Sequence, residues 1–256
     1  MPSSITYEYL SCAAQRTAHV ADWVQWGVGR DALVFGVHKA LAVWLDPTEP
    51  TARAPAVHMW PLPCQETVHV LKAWQDDVPR IVVGTYEGGL ELWRGHGDEL
   101  CCDASVPGAH AAAITAVGVP RDAYTREHSP REFVTGGSDS KLRVWSCDPL
   151  RVVQTVDLEG AFPLDVALVS LPQTDAMVMA VAATDRRISL YVRGGGSGAY
   201  VRQLRLAGHE DWVRALDFTV ALPDVWLASA SQDQHVRLWK WRPETRQPQA
   251  PTDAFE

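Results

Sequence analysis

Positive charge is scarce in this 256-residue chain, where 23 Lys and Arg stand against 31 Asp and Glu for a formal net charge of -8. Neutralising a phosphate backbone needs a basic surface, so this balance argues against a generic polyanion binder. Long apolar runs are also missing: none approaches the ~18 residues a membrane-crossing helix requires, which excludes insertion by that route. Cysteine is sparse and odd in number (Cys12, Cys64, Cys101, Cys102, Cys147), with no CxxC spacing. That pattern offers neither a disulfide framework nor a zinc site, and without a charged-then-apolar leader it predicts reduced thiols in the cytosol or nucleus. No HExxH occurs, since His209-Glu210-Asp211 has the wrong spacing. The Gly-rich stretch at 194–198 lacks a following GK[ST] and runs into the strand-like Tyr200-Val-Arg-Gln-Leu. It therefore reads as a hairpin loop rather than a phosphate cradle. Vicinal Cys101-Cys102 reads as part of a small apolar strand rather than a redox pair.

What the chain does have is a strand ending that recurs five times. ALAVW closes at Trp44, GLELW at Trp93, KLRVW at Trp145, RISLY at Tyr191 and HVRLW at Trp239, at spacings of 49, 52, 46 and 48 residues. A period that regular means one supersecondary unit copied along the chain. With 46% hydrophobic residues the copies can share a large core as one repeat domain.

Period-two alternation and turn residues divide each unit into four strands. In the fifth these are Val201 to Leu206, Trp212 to Phe218, Val225 to Ser231 and His235 to Trp241. The third unit places them at Ala112 to Val119, Glu132 to Gly137, Lys141 to Trp145 and Val152 to Leu158, with Ser138-Asp139-Ser140 as a tight turn. Units one, two and four keep the strands but carry His38, Glu87 and Asp185 six residues before their aromatics. Asp46 to Pro55, Arg121 to Arg131 and Pro243 to Glu256 read as loops or tail.

Two units share a matched set of four residues: His209, Ser229, Asp233 and Trp239 in the fifth, His110, Thr135, Asp139 and Trp145 in the third. The hydroxyl precedes the Asp by four residues and the Asp precedes the Trp by six in both. A Ser, His and Asp together invite a hydrolase reading, but a triad needs an exposed nucleophile and an oxyanion hole. Here the hydroxyl lies inside an alternating strand and the set appears twice, which is expected of scaffolding.

These features resemble the WD-repeat family, an all-β fold in which each four-stranded unit is one blade of a β-propeller. The resemblance implies five blades over residues 1–241, followed by a polar tail at 242–256. It also implies that each matched set forms a buried relay from indole to hydroxyl to imidazole to carboxylate. LAGHEDWVRALDF and WLASASQDQHVRLWK in the fifth unit, with VTGGSDSKLRVW and RISLYV elsewhere, resemble more narrowly the WD-repeat subunits of the Elongator assembly. Those proteins are longer, with two propellers of seven blades. The chain is thus expected to form part of a seven-bladed propeller, as an open five-blade arc. Ile5 to Leu10 is a candidate outer strand that could pair beside His235 to Trp241 and close a five-unit ring instead.

By the same resemblance the chain is a non-catalytic scaffold, with neither cofactor nor metal, supporting wobble-uridine modification of tRNA in cytoplasm and nucleus. Its expected partners are the large scaffold subunit and the catalytic subunit, and direct tRNA contact is left open. Trp212, Arg214 and Gln232 fall where partners usually touch such a propeller, with Ser138 and Tyr86 at related positions. A generic WD-repeat adaptor of another multiprotein complex is the alternative.

Overall fold

The computed structural model describes residues 18–26, 30–45, 57–75, 78–120, 132–171, 176–194, 198–222 and 224–242. Nineteen strands in that range form five antiparallel sheets. The first holds β1 (Ala18–Gln25), β2 (Asp31–Val37), β3 (Ala40–Leu45) and β4 (Val57–Pro61). The second holds β5 (Val68–Gln75), β6 (Pro79–Thr85), β7 (Leu90–His96) and β8 (Glu99–Val106). In the third are β9 (Ile114–Gly118), β10 (Glu132–Gly137), β11 (Lys141–Cys147) and β12 (Leu150–Asp157). The fourth comprises β13 (Pro163–Ser170), β14 (Met177–Ala183), β15 (Ile188–Arg193) and β16 (Val201–Leu206). The fifth has three strands, β17 (Val213–Ala221), β18 (Asp224–Ser231) and β19 (Val236–Trp241). Each sheet is a meander in chain order, the arrangement of WD-repeat propeller blades.

One expectation is corrected. Val201 to Leu206, assigned from sequence to the fifth unit, pairs with β15 as the outer strand of the fourth sheet, Ile188 facing Leu206 and Val192 facing Val201. The sequence period and the sheet are therefore offset by one strand. The candidate strand Ile5 to Leu10, Cys12, the loops at 46–55 and 121–131 and the tail from 243 lie outside the described residues.

Neighbouring sheets stack through their innermost strands, and apolar clusters fill each junction. Among the described residues the second, third and fourth sheets each turn one face back toward the preceding sheet and the other on toward the next. On the onward face the same row recurs: Val34, Leu41 and Val43; Val82, Leu90 and Leu92; Val134, Leu142 and Val144; Ala180, Ile188 and Leu190. Of these twelve residues eleven are buried and Leu190 is packed against its cluster. Fully burying such a side chain stabilises by about 1.5–3 kcal/mol, so these junctions hold most of the fold together. Close approach is enforced at the same height. A Cβ on Gly36, Gly84 or Gly136 would meet Val68, Ile114 or Pro163 of the next sheet at 2.4, 2.6 and 2.8 Å.

Candidate functional site

The third and fifth sheets each carry a four-residue relay. In the third, Trp145 Nε1–H donates to Thr135 Oγ1 at 2.8 Å, the hydroxyl donates to His110 Nε2 at 2.8 Å, and His110 Nδ1–H donates to Asp139 Oδ1 at 2.9 Å. This direction gives each of the four relay groups one role and sets the imidazole tautomer, with Arg143 Nη1 also 2.7 Å from His110 Nδ1. The chain places the four by topology. β10 supplies Thr135, the turn into β11 supplies Asp139, β11 supplies Trp145, and the loop before β9 folds back with His110. A Cβ at Gly137 would lie 2.2 Å from His110 Nδ1, so that position is kept bare for the ring. Asp139 is further held by the Ala111 N–H at 3.1 Å and by Arg143 Nη1 at 3.0 Å.

The electrostatics follow from burial and pairing. Burial pushes the Asp139 carboxyl up, but bonds from His110, the Ala111 N–H and Arg143 outweigh it and hold the group at about 2. Burial lowers the His110 pKa below its ordinary value despite the pull of Asp139, which keeps the ring neutral at pH 7.

In the fifth sheet, Trp239 Nε1–H donates to Ser229 Oγ at 2.9 Å, Ser229 to His209 Nε2 at 2.8 Å, and His209 Nδ1–H to Asp233 Oδ2 at 2.8 Å. The Glu210 and His235 N–H groups complete the Asp233 shell at 3.0 and 2.9 Å. Burial pushes the Asp233 carboxyl up, yet these donors hold it far below the usual range. Ser229 is 1% exposed and spends its hydroxyl inside the relay, so it presents no accessible nucleophile.

The other sheets solve the same problem differently. In the second, Val83 stands in the hydroxyl row, and Trp93 Nε1–H turns to the fully buried Glu91, whose Oε2 accepts it at 2.9 Å. Glu91 Oε1 also accepts the Cys64 N–H at 3.0 Å. Glu66 takes part of the turn's role, accepting from Thr85 Oγ1 at 2.6 Å and the Gly89 N–H at 3.1 Å. Sequence spacing missed Glu91, although a Glu two residues before a terminal aromatic, where the third and fifth units have Arg143 and Arg237, was its visible signal. In the fourth sheet Tyr191 replaces Trp and interacts with Arg202. In the first, the buried Trp44 Nε1 has no partner among the described residues.

The predicted contact residues gather at the turn end of the fifth sheet. The Gln232 N–H donates to the Trp212 carbonyl at 2.9 Å, so these two share one rim of the fifth sheet, with the Trp212 side chain 40% exposed. The same backbone bond joins Tyr86 to Thr67, Ser138 to Ala113 and Thr184 to Phe162, giving that rim one level across four sheets. Tyr86 and Phe162 are exposed there, and Tyr86 stacks on His69 at 3.9 Å. Arg214, also exposed, sits beside them at the β17 bulge between Val213 and Ala215, the position that His69 holds in the second sheet where it meets Tyr86.

The model of the WD domain, G-beta repeat, matches residues 200–240. The chain is 29% identical to Elongator complex protein 2 of Danio rerio over 236 residues, 91% of this chain and 27% of that protein. It is 36% identical over 163 residues to the Mus musculus protein of that name (62% and 19%). With the Arabidopsis thaliana protein it shares 25% over 244 residues (86% and 28%). The resemblance to Elongator complex protein 2 thus runs along most of the chain and across animals and plants, while the chain spans only about a quarter of the Danio rerio relative's length.

Proposed function

We propose that this chain acts as a non-catalytic WD-repeat scaffold in an Elongator-type assembly, supporting modification of tRNA wobble uridines by a catalytic subunit it helps to hold. The observation that carries this reading is similarity to Elongator complex protein 2 over 91% of the chain, joined to sheets whose polar groups are spent on internal relays. Rigid stacked sheets with an aromatic rim suit docking, since Trp and Arg combine large buried area with directed polar groups. On this proposal the rim at Trp212 and Gln232, with Tyr86 and Ser138 at the same level, meets the large scaffold subunit or the catalytic subunit, in cytoplasm and nucleus.

Affinity purification of the tagged full chain with mass spectrometry tests it. Recovery of both subunits is expected, and Trp212→Ala/Gln232→Ala should reduce their yield at unchanged chain stability. Recovery of components of another assembly would instead favour a generic adaptor role.

A further inference from the structure

Tyr191 closes the fourth unit where the other four close with Trp. Its ring packs in the junction between the third and fourth sheets, but its hydroxyl is hydrogen-bonded by the Arg202 guanidinium of the outer strand β16. Arg202 is paired with Tyr191 and Arg205 with Ser189, so both guanidinium groups stand on the face of β16 turned back toward the third sheet. There the turn that follows β12 brings one carboxylate between them. Glu159 Oε1 lies 3.6 Å from Arg202 Nη2, and Oε2 lies 3.8 Å from Arg205 Nη2. Both are ion-pair distances, longer than the roughly 2.7–3.2 Å of a hydrogen bond, so the two forks converge on Glu159 without being satisfied by it. The Glu159 side chain is 68% exposed and each arginine side chain 37%, which leaves the notch open to a solute. Its walls are fixed. The Glu159 N–H donates to Asp157 Oδ1 at 2.7 Å and holds the turn, and Gln154 clamps the far end by donating to the Tyr200 carbonyl at 2.9 Å and accepting the Tyr200 N–H at 2.8 Å.

We propose that this notch, between the turn after β12 and the outer strand β16, binds a phosphate monoester carried on a side chain of a partner segment, with Arg202 and Arg205 as its forks, Tyr191 positioning Arg202, and Glu159 as the internal anion that the phosphate displaces. Two planar forks suit an oxyanion that can accept from both at hydrogen-bond distance. A monoester brings three oxygens and about 1.5 to 2 negative charges at pH 7, more than the single charge of Glu159 that it must replace. A phosphodiester of RNA brings only one charge per group and so gains nothing over Glu159. Tracking its backbone would also need a run of basic groups, which a chain of net charge -8 with no carboxylate-free basic stretch beyond β16 itself does not supply. The strand's other face favours a protein segment as well. Val201 and Leu204 are 55% and 49% exposed there, apolar contacts for the residues on either side of a phosphorylated one in an extended chain, whose side chains alternate between faces.

Arginine Nε–Hε resonances of the full chain test it, with methyl phosphate and dimethyl phosphate as probes. Methyl phosphate should shift the Arg202 and Arg205 signals and half-saturate at a concentration about 5-fold or more below that of dimethyl phosphate, because its second charge acts on both guanidinium groups. That advantage should disappear as the pH falls below about 6, where the monoester loses its second charge. Glu159→Gln should tighten methyl phosphate about 5-fold by removing the competing anion. Tyr191→Phe should weaken it about 2- to 5-fold while the Arg205 shift persists, and Arg202→Gln/Arg205→Gln should abolish binding with little change in melting temperature. A degenerate phosphoserine peptide pool with apolar flanking residues should then be retained on the immobilised full chain about 10-fold or more over the unphosphorylated pool, through the same two arginines. Equal half-saturation by the two phosphates, shifts that survive the double substitution, or unchanged affinity in Glu159→Gln would overturn the site. Retention of a single-stranded RNA pool in place of the phosphopeptides would overturn the partner assignment. Should Arg202→Gln/Arg205→Gln not fold, Arg202→Lys/Arg205→Lys decides: it keeps the charge but removes the forks, and undiminished binding would count against the proposal. None of these measurements depends on Trp212-dependent subunit recovery, so the two readings fail separately.

Discussion

Thr135→Val isolates the relay from the packing around it. The two side chains are nearly isosteric, so the substitution opens no cavity; it deletes one hydroxyl. Two groups lose their partner together: the Trp145 indole N–H, in a side chain 3% exposed, and His110 Nε2, in one 1% exposed. A buried polar group left unsatisfied costs about 1–3 kcal/mol, so the pair amounts to roughly 2–6 kcal/mol before relaxation, with about 3 as the central expectation. At about 2–4 °C per kcal/mol for a chain of this size, the melting temperature should fall by about 6–12 °C. Thermal and urea unfolding followed by tryptophan fluorescence would read it. In a Trp145→Phe background the same change should cost about 1–3 kcal/mol less, because one orphan is already gone. A loss below about 0.5 kcal/mol in the native background would refute the reasoning and show that water or local rearrangement satisfies both groups.

Further outcomes follow from the same geometry. Glu91→Ala strips the acceptor from the Trp93 indole and the Cys64 N–H inside a fully buried site and should cost about 2–4 kcal/mol by urea unfolding, with Glu91→Gln milder. Acid should weaken the chain in two stages. His110, whose folded pKa is depressed, contributes stability above its unfolded value near 6.5 that is lost as pH falls through the folded one. Asp139, held at about 2, contributes stability above about pH 4 that is lost toward pH 2. A melting temperature that is flat from pH 8 to 2 would contradict both stages. Burial pushes the Cys64 thiol to about 12 and Cys102 to about 11, so exposed Cys101 should alkylate well before either at pH 8, by peptide mass mapping.

Legibility of the site tracked how local its signals are. His209, Ser229, Asp233 and Trp239 lie within 31 positions of sequence in a pattern repeated at 110, 135, 139 and 145, and the structure brings each set within hydrogen-bonding reach. Glu91 escaped notice because a carboxylate in an alternating strand looks solvent-facing until Val83 is seen to remove the hydroxyl that Trp93 would have used. Trp212, Arg214 and Gln232 were legible only through resemblance to the contact positions of WD-repeat proteins.

The repeat of aromatic strand endings, read from the chain alone, determined that the protein is built of copied antiparallel sheets, because alternation and turn chemistry act between residues a few positions apart. Tertiary structure alone decided that Val201–Leu206 completes the fourth sheet, that Glu91 replaces a hydroxyl, and that Val236 and Leu238 face outward. Those outcomes depend on which strand edge bonds to which and on which sheet covers which face. Such relations join residues from separate copies, and spacing within one copy does not encode them.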